Sequence, residues 1–132
     1  MSAFASAGIV KPEFIVAHIT DTRLDYDLEM CNNGHKARGF DSCGYNWLIL
    51  RDGTVQESRG LVVGAHAKGY NAMSYGVGLV GRDDVTGAQV RAFVVLVERL
   101  GDLRVRPHYE LNANKTCPTK NVWNMLTDAL DL

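Results

Sequence analysis

The 132-residue sequence contains no apolar run of the roughly eighteen residues that a membrane helix needs, and Met1 to Val10 has neither a basic start nor a long apolar core. These absences predict no membrane contact and no secretory signal, and therefore synthesis into the cytoplasm. Charge of one sign is lacking too. Fourteen Lys and Arg against 15 Asp and Glu leave a formal charge of -1, so there is no global basic field and no nucleic-acid partner is expected. Cysteine is scarce and odd in number: Cys31, Cys43 and Cys117 do not make the even set of a disulfide framework. With Cys117 assigned to a metal below, Cys31 and Cys43 are expected to be free thiols, a bridge between them being the minority alternative. Gly76, Gly78 and Gly81 lack the Gly-Lys-Ser/Thr ending of a phosphate loop, and their place in and just after an apolar run points to close backbone packing. No internal repeat, linker or low-complexity segment is present.

What remains is the composition of one ordinary domain, 46% hydrophobic and 22% charged. Met1 to Glu13 is small and weakly patterned and reads as an N-terminal arm or lead-in (1–13), leaving 14–132 as the domain. Phe14 to His18 is an apolar strand with its polar residue at the tip. Thr20, Asp21 and Thr22 offer capping chemistry before Leu24, Leu28, Cys31 and His35, whose spacing marks one face of a helix ending near Gly39. His35 and Cys31 are expected to pack in the core. Tyr45 to Leu50 and Thr54 to Glu57 read as a hairpin turning at Arg51 to Gly53, the first strand apolar on both faces and hence central. Another strand is expected at Tyr75 to Val80. A helix follows from Thr86 to Leu100, then a short strand at Arg104 to Arg106 and a last helix N-capped by Thr119. The fold class is α/β: one domain with a central mixed β-sheet and about three helices.

Arg106 to Thr119, R-P-H-Y-E-L-N-A-N-K-T-C-P-T, brings an imidazole, an ammonium and a thiol into one shaped loop. His108 and Cys117 are nine positions apart, and His18 at the end of the first strand is the best third ligand. Two imidazoles and a thiolate suit zinc, and three protein ligands leave the fourth position for the water of a catalytic site. A purely structural zinc usually takes four protein ligands.

The blocks V-A-H-I-T, G-H-K-A-R-G-F, G-Y-N-W-L-I-L-R-D-G-T-V, G-A-H-A-K-G-Y-N-A-M-S-Y-G-V-G-L-V-G, H-Y-E and K-T-C-P run in order from Phe14 to about Trp123. In these blocks the chain resembles the zinc-dependent N-acetylmuramoyl-L-alanine amidases of the phage-lysozyme and peptidoglycan-recognition-protein type, in particular the short podovirus lysozymes. The resemblance implies a central sheet with helices on both faces and one Zn2+ per chain in a surface cleft, held by His18, His108 and Cys117. It implies a catalytic role for Lys115, as an ammonium beside the developing oxyanion, and for Tyr45, as a proton carrier or hydrogen-bond donor. His66 and Asn71 would border the cleft and touch substrate. Ile19, Tyr75 and a His108-to-Cys117 spacing one residue longer depart from the phage pattern without removing a ligand.

The implied activity is hydrolysis of the amide between N-acetylmuramic acid and L-alanine in peptidoglycan, by a monomeric endolysin made in the host cytoplasm that meets the wall after membrane permeabilisation. The alternative is a peptidoglycan-binding module without catalysis, against which the complete ligand set stands. Short podovirus lysozymes also regulate the phage RNA polymerase, a further partner for which the Met1 to Glu13 arm is the candidate segment, although no residue of the arm shows it. A muramidase would need two carboxylates across a sugar bond, and Asp52 and Glu57 are accounted for by the hairpin.

Overall fold

The computed structural model describes residues 8–132; residues 1–7 of the expected arm lie outside the described residues. Five strands form one sheet: β1 (Phe14–Ile19), β2 (Trp47–Ile49), β3 (Val55–Glu57), β4 (Ser74–Leu79) and β5 (Arg104–Pro107). Their order is β3-β2-β4-β1-β5, with β2, β4, β1 and β5 mutually parallel and β3 antiparallel to β2. Among the described residues four α-helices accompany the sheet: α1 (Leu28–Ala37), α2 (Gly87–Arg99), the single turn α3 (His108–Leu111) and α4 (Lys120–Leu130). The sheet is mixed, as the hairpin and the interleaved helices require.

The strand period of two sorts the sheet into faces with different tasks. Ile15, Ala17, Ile19, Trp47, Ile49, Val77 and Leu79 join Phe93, Leu96 and Val97 of α2 and Val122 and Leu126 of α4 in the main core. Gln89, fully buried, ties α2 to this layer: its Nε2 donates to the Ile49 and Val80 carbonyls while its Oε1 accepts from Thr86 N in a capping box. The opposite face carries Leu48 and Val80 packed with Cys31 and Cys43 under α1, and on the same face stand His18, Gly76 and Gly78. The sheet therefore holds its apolar layer on one side and presents a polar, glycine-floored strip on the other.

The helix after β1 starts later than the Leu24 spacing suggests. Asp27 is the N-cap, its carboxylate accepting from Met30 N at 2.9 Å. Thr20 and Thr22 instead bond each other, Asp21 turns at positive φ, and Leu24 is left exposed.

Cys31 and Cys43 form a disulfide, which corrects the expectation of free thiols. The cause is local. Two side chains of α1 capture the returning loop, Asn32 Oδ1 accepting from Cys43 N and His35 Nδ1 from Gly44 N, both at 2.8 Å, so the two cysteine Cα atoms lie 5.1 Å apart. Residues 8–13 run along the sheet end, with Ile9 bridged to Val62 and Val10 N donating to the Leu61 carbonyl. Among the described residues no helix is long and apolar enough to cross a membrane.

Candidate active site

Parallel pairing brings two candidate ligands together. In the β1/β5 register Ala17 lies opposite Pro107, so the next residue along each chain, His18 and His108, emerge side by side at the C-terminal ends of their strands. Open parallel sheets place ligands at that edge. The two imidazole rings are 4.5 Å apart between centroids. Cys117 arrives from the loop after α3. Its carbonyl accepts from Tyr109 N, which closes the loop, and its sulfur accepts from Ile19 N at 3.1 Å. Cys117 Sγ is 3.8 Å from His18 Nδ1. Donor atoms of His18, His108 and Cys117 lie within 4.8 Å of one another, with His18 buried and the other two half-buried. The set fits a transition-metal ion in both donor chemistry and spacing.

The electrostatics of these groups follow from their burial. His18 is held well below the ordinary imidazole range by desolvation, and then by His66 and His108. Burial and the Lys115 ammonium lower His108. Burial pushes the Cys117 thiol up to about 11, against the Ile19 N–H that favours the thiolate. The protein alone keeps all three uncharged; a bound cation would favour the thiolate and unprotonated imidazoles, so metal uptake would release protons.

Tyr45 packs edge-on to His18, ring centroids 5.3 Å apart, and burial, then the Cys117 thiol, raise its phenol above the ordinary range. It precedes β2 instead of starting it. Lys115 is exposed on the rim of a cleft of about 390 Å³ whose lining includes Phe40, His66, Lys68, Asn71, His108 and Asn112. The structure thus brings Tyr45, Lys115 and His66 around the three donors.

Asn71 lines the same cleft, but its Oδ1 is occupied by the backbone N–H groups of His66 and Ala67, both at 2.9 Å. Its visible work is to fold the loop. His35 is packed away under Phe40 and the Gly44 backbone.

The feature that residue types alone did not reveal is a direct bond between His66 Nδ1 and His18 Nε2 at 2.9 Å. A signal for it lies in β4. A Cβ on Gly76 would overlap the His66 ring, and one on Gly78 would come within 2.9 Å of Tyr45 Cδ2. The two glycines leave bare backbone where the two rings rest, which is the close packing expected of them.

The sequence profile of the N-acetylmuramoyl-L-alanine amidase family matches residues 9–120. The chain is 40% identical over 122 residues to the endolysin of Enterobacteria phage T3, covering 81% of this chain and 80% of that protein. It is also 40% identical over 98 residues to the endolysin of Escherichia phage T7, spanning 64% of each. Among solved structures, the N-acetylmuramoyl-L-alanine amidase LysC from Clostridium intestinale URNW superposes with a TM-score of 0.83 at 26% identity, over 93% of this chain and 87% of that one.

Proposed function

The chain belongs to the N-acetylmuramoyl-L-alanine amidase family and is a peptidoglycan amidase of the phage endolysin kind, and from that premise we propose that His18, His108 and Cys117 hold one catalytic Zn2+ while Lys115 and Tyr45 act on the substrate carbonyl. The observation that carries this is the convergence of two imidazoles and one thiol at one strand edge, open towards a cleft with an ammonium on its rim. When bound, zinc would supply Lewis acidity, which activates water and polarises a carbonyl.

The protein's own groups divide the remaining work. Lys115 offers a positive charge near the oxygen on which negative charge develops, and Tyr45, packed against His18, offers a phenolic hydrogen bond beside it. Water is consumed: the lactyl carbonyl carbon gains the hydroxyl, the carbon–nitrogen bond breaks, and the L-alanine nitrogen leaves with the proton. His66 and Lys68 border the path of the stem peptide. One chain supplies every donor, so a monomer suffices. The site would act on the wall after membrane permeabilisation, following synthesis in the host cytoplasm.

Metal content and product identity test this together. The purified protein should carry about one zinc per chain and lose wall lysis to a strong chelator. Digested peptidoglycan should accumulate L-alanine amino termini and peptide-free glycan, with no rise in reducing sugar ends. Undiminished lysis by metal-free protein would overturn the zinc centre, and new reducing ends without new amino termini would overturn the bond assignment.

A further inference from the structure

The hydrogen bonds leading away from His18 have a direction. Ser74 Oγ lies 2.6 Å from the Tyr70 carbonyl, which can only accept, so the one hydroxyl proton of Ser74 is committed there. Towards His66 Nε2, at 3.4 Å, the Ser74 oxygen is then an acceptor, and Nε2 carries the proton. A neutral imidazole protonated on Nε2 has a lone pair on Nδ1. That lone pair faces His18 Nε2 at 2.9 Å, so the proton in this contact sits on His18. His18 Nδ1, the atom turned to Cys117 Sγ, is left unprotonated.

We propose that His66 is the positioning residue of the metal centre: with Ser74 and the Tyr70 carbonyl it fixes His18 in the Nε2–H tautomer, so that Nδ1 is presented as a metal donor before any metal arrives. The inference rests on the reading of His18 as a zinc ligand. A second observation supports it independently of the hydrogen bonds. β4 leaves Gly76 without a side chain directly under the His66 ring, and Asn71 fastens the backbone N–H groups of His66 and Ala67, so the ring is seated from two sides. The two rings meet nearly at right angles, 87° between planes, which aims the His66 lone pair edge-on at the His18 N–H. A residue that only touched substrate from the cleft wall would need none of this. The partner of a ligating imidazole's second nitrogen sets which nitrogen meets the metal, and losing such a partner typically weakens metal affinity by roughly 10- to 100-fold.

The test reads the tautomer and the affinity separately. Long-range nitrogen–proton correlation spectra of the metal-free full chain, with His18 assigned through His18→Gln, should show a single Nε2–H tautomer at His18. His66→Ala should turn that signal into a tautomer mixture and raise the zinc dissociation constant by roughly 10- to 100-fold in chelator competition. His66→Gln, whose amide oxygen can accept from His18 and whose amide nitrogen can donate to Ser74, should restore the single tautomer and most of the affinity. An Nδ1–H tautomer at His18 in the native chain would overturn the proposal, as would a folded His66→Ala protein with unchanged tautomer and affinity. Should His66→Ala fail to fold by circular dichroism, Ser74→Ala decides. It should let the His66 proton redistribute, and unchanged spectra at His66 and His18 would overturn the relay. A native chain with the expected tautomer that binds no zinc would instead sink the metal centre and leave the relay standing.

Discussion

Two clusters in this protein use the same types of donor and reach opposite ends. His18, His108 and Cys117 form one; Cys31, His35 and Cys43 form the other, and in both the donor atoms lie within 4.8 Å of one another. The second is sealed: both sulfurs have no exposure, they are bonded to each other, and His35 Nδ1 is taken by Gly44 N–H. The first contains a single thiol, which has no sulfur partner, and two imidazoles at a strand edge beside a cleft. Proximity of ligand-type residues therefore does not make a metal site. Holding an ion would also take uncommitted lone pairs and an open side, and the chain separates the two clusters by placing one beneath a helix and the other at the sheet end.

The sharpest way to break the contrast is to replace the sulfur or sulfurs of each cluster in turn. Cys117→Ser should lose zinc and amidase activity together, down to the no-enzyme level, because a hydroxyl is a poor substitute for thiolate. Retention of both by a folded Cys117→Ser protein would remove it from the ligand set. Replacing Cys31 and Cys43 together by Ala should leave zinc content and turnover of the folded fraction unchanged. It should lower stability by about 2 to 4 kcal/mol, the usual worth of a short closed loop, here with a sequence separation of 12. Chemical denaturation of both chains measures this, and loss of zinc from the double variant would mean that the clusters are not independent.

A finer cut separates holding the metal from using it. Lys115→Ala and Tyr45→Phe should each keep zinc and fold, yet slow amide hydrolysis by roughly two powers of ten if each stabilises the developing charge. Metal analysis beside single-substrate kinetics decides. Near-native rates in both variants would leave Lys115 as a solvated rim lysine and Tyr45 as a packing aromatic.

The candidate ligands were legible because strand-end His18 and the P-H-Y loop each carry a local pattern; that they meet is a matter of register, Ala17 against Pro107, which no local pattern contains. The α2 and α4 helices were likewise readable from Thr86, Gly101 and Thr119, whose capping chemistry is local. The disulfide was not, because an odd cysteine count spoke against pairing and the captures by Asn32 and His35 that return Cys43 to α1 follow no helix or turn spacing. The start of α1 was misplaced for a similar reason. Leu24 fits the helical spacing, but a positive φ at Asp21 and the Thr20–Thr22 bond use up that segment as a turn, and Asp27 becomes the cap. His66 was placed at the cleft by resemblance, whereas its bond to His18 depends on the bare backbone of Gly76, where a loop rests on a strand.

The smallest expected effect concerns acid, and it again sets the sealed cluster apart. Burial, then Arg38 and Arg59, lower His35 to about 4 from an ordinary 6.5, so the native state keeps it neutral where the unfolded chain begins to protonate it. The unfolded state binds more protons between those two values, and stability must rise with pH across that window. The His35 contribution is thus fully present above about pH 6.5 and is lost progressively as pH falls towards 4, levelling off below. Nδ1 also accepts from Gly44 N–H, a role that a proton on that nitrogen would end. His35→Gln offers an amide oxygen to the same N–H without titrating in this range. Urea unfolding of the metal-free chain at several pH values between about 7.5 and 4 should therefore show a shallower decline for His35→Gln than for the native protein. His18, His66 and His108 are lowered as well, and they remain in both chains, so the difference between the two curves isolates His35. Parallel curves would show that the sealed cluster does not sense acid and that the decline belongs to other groups.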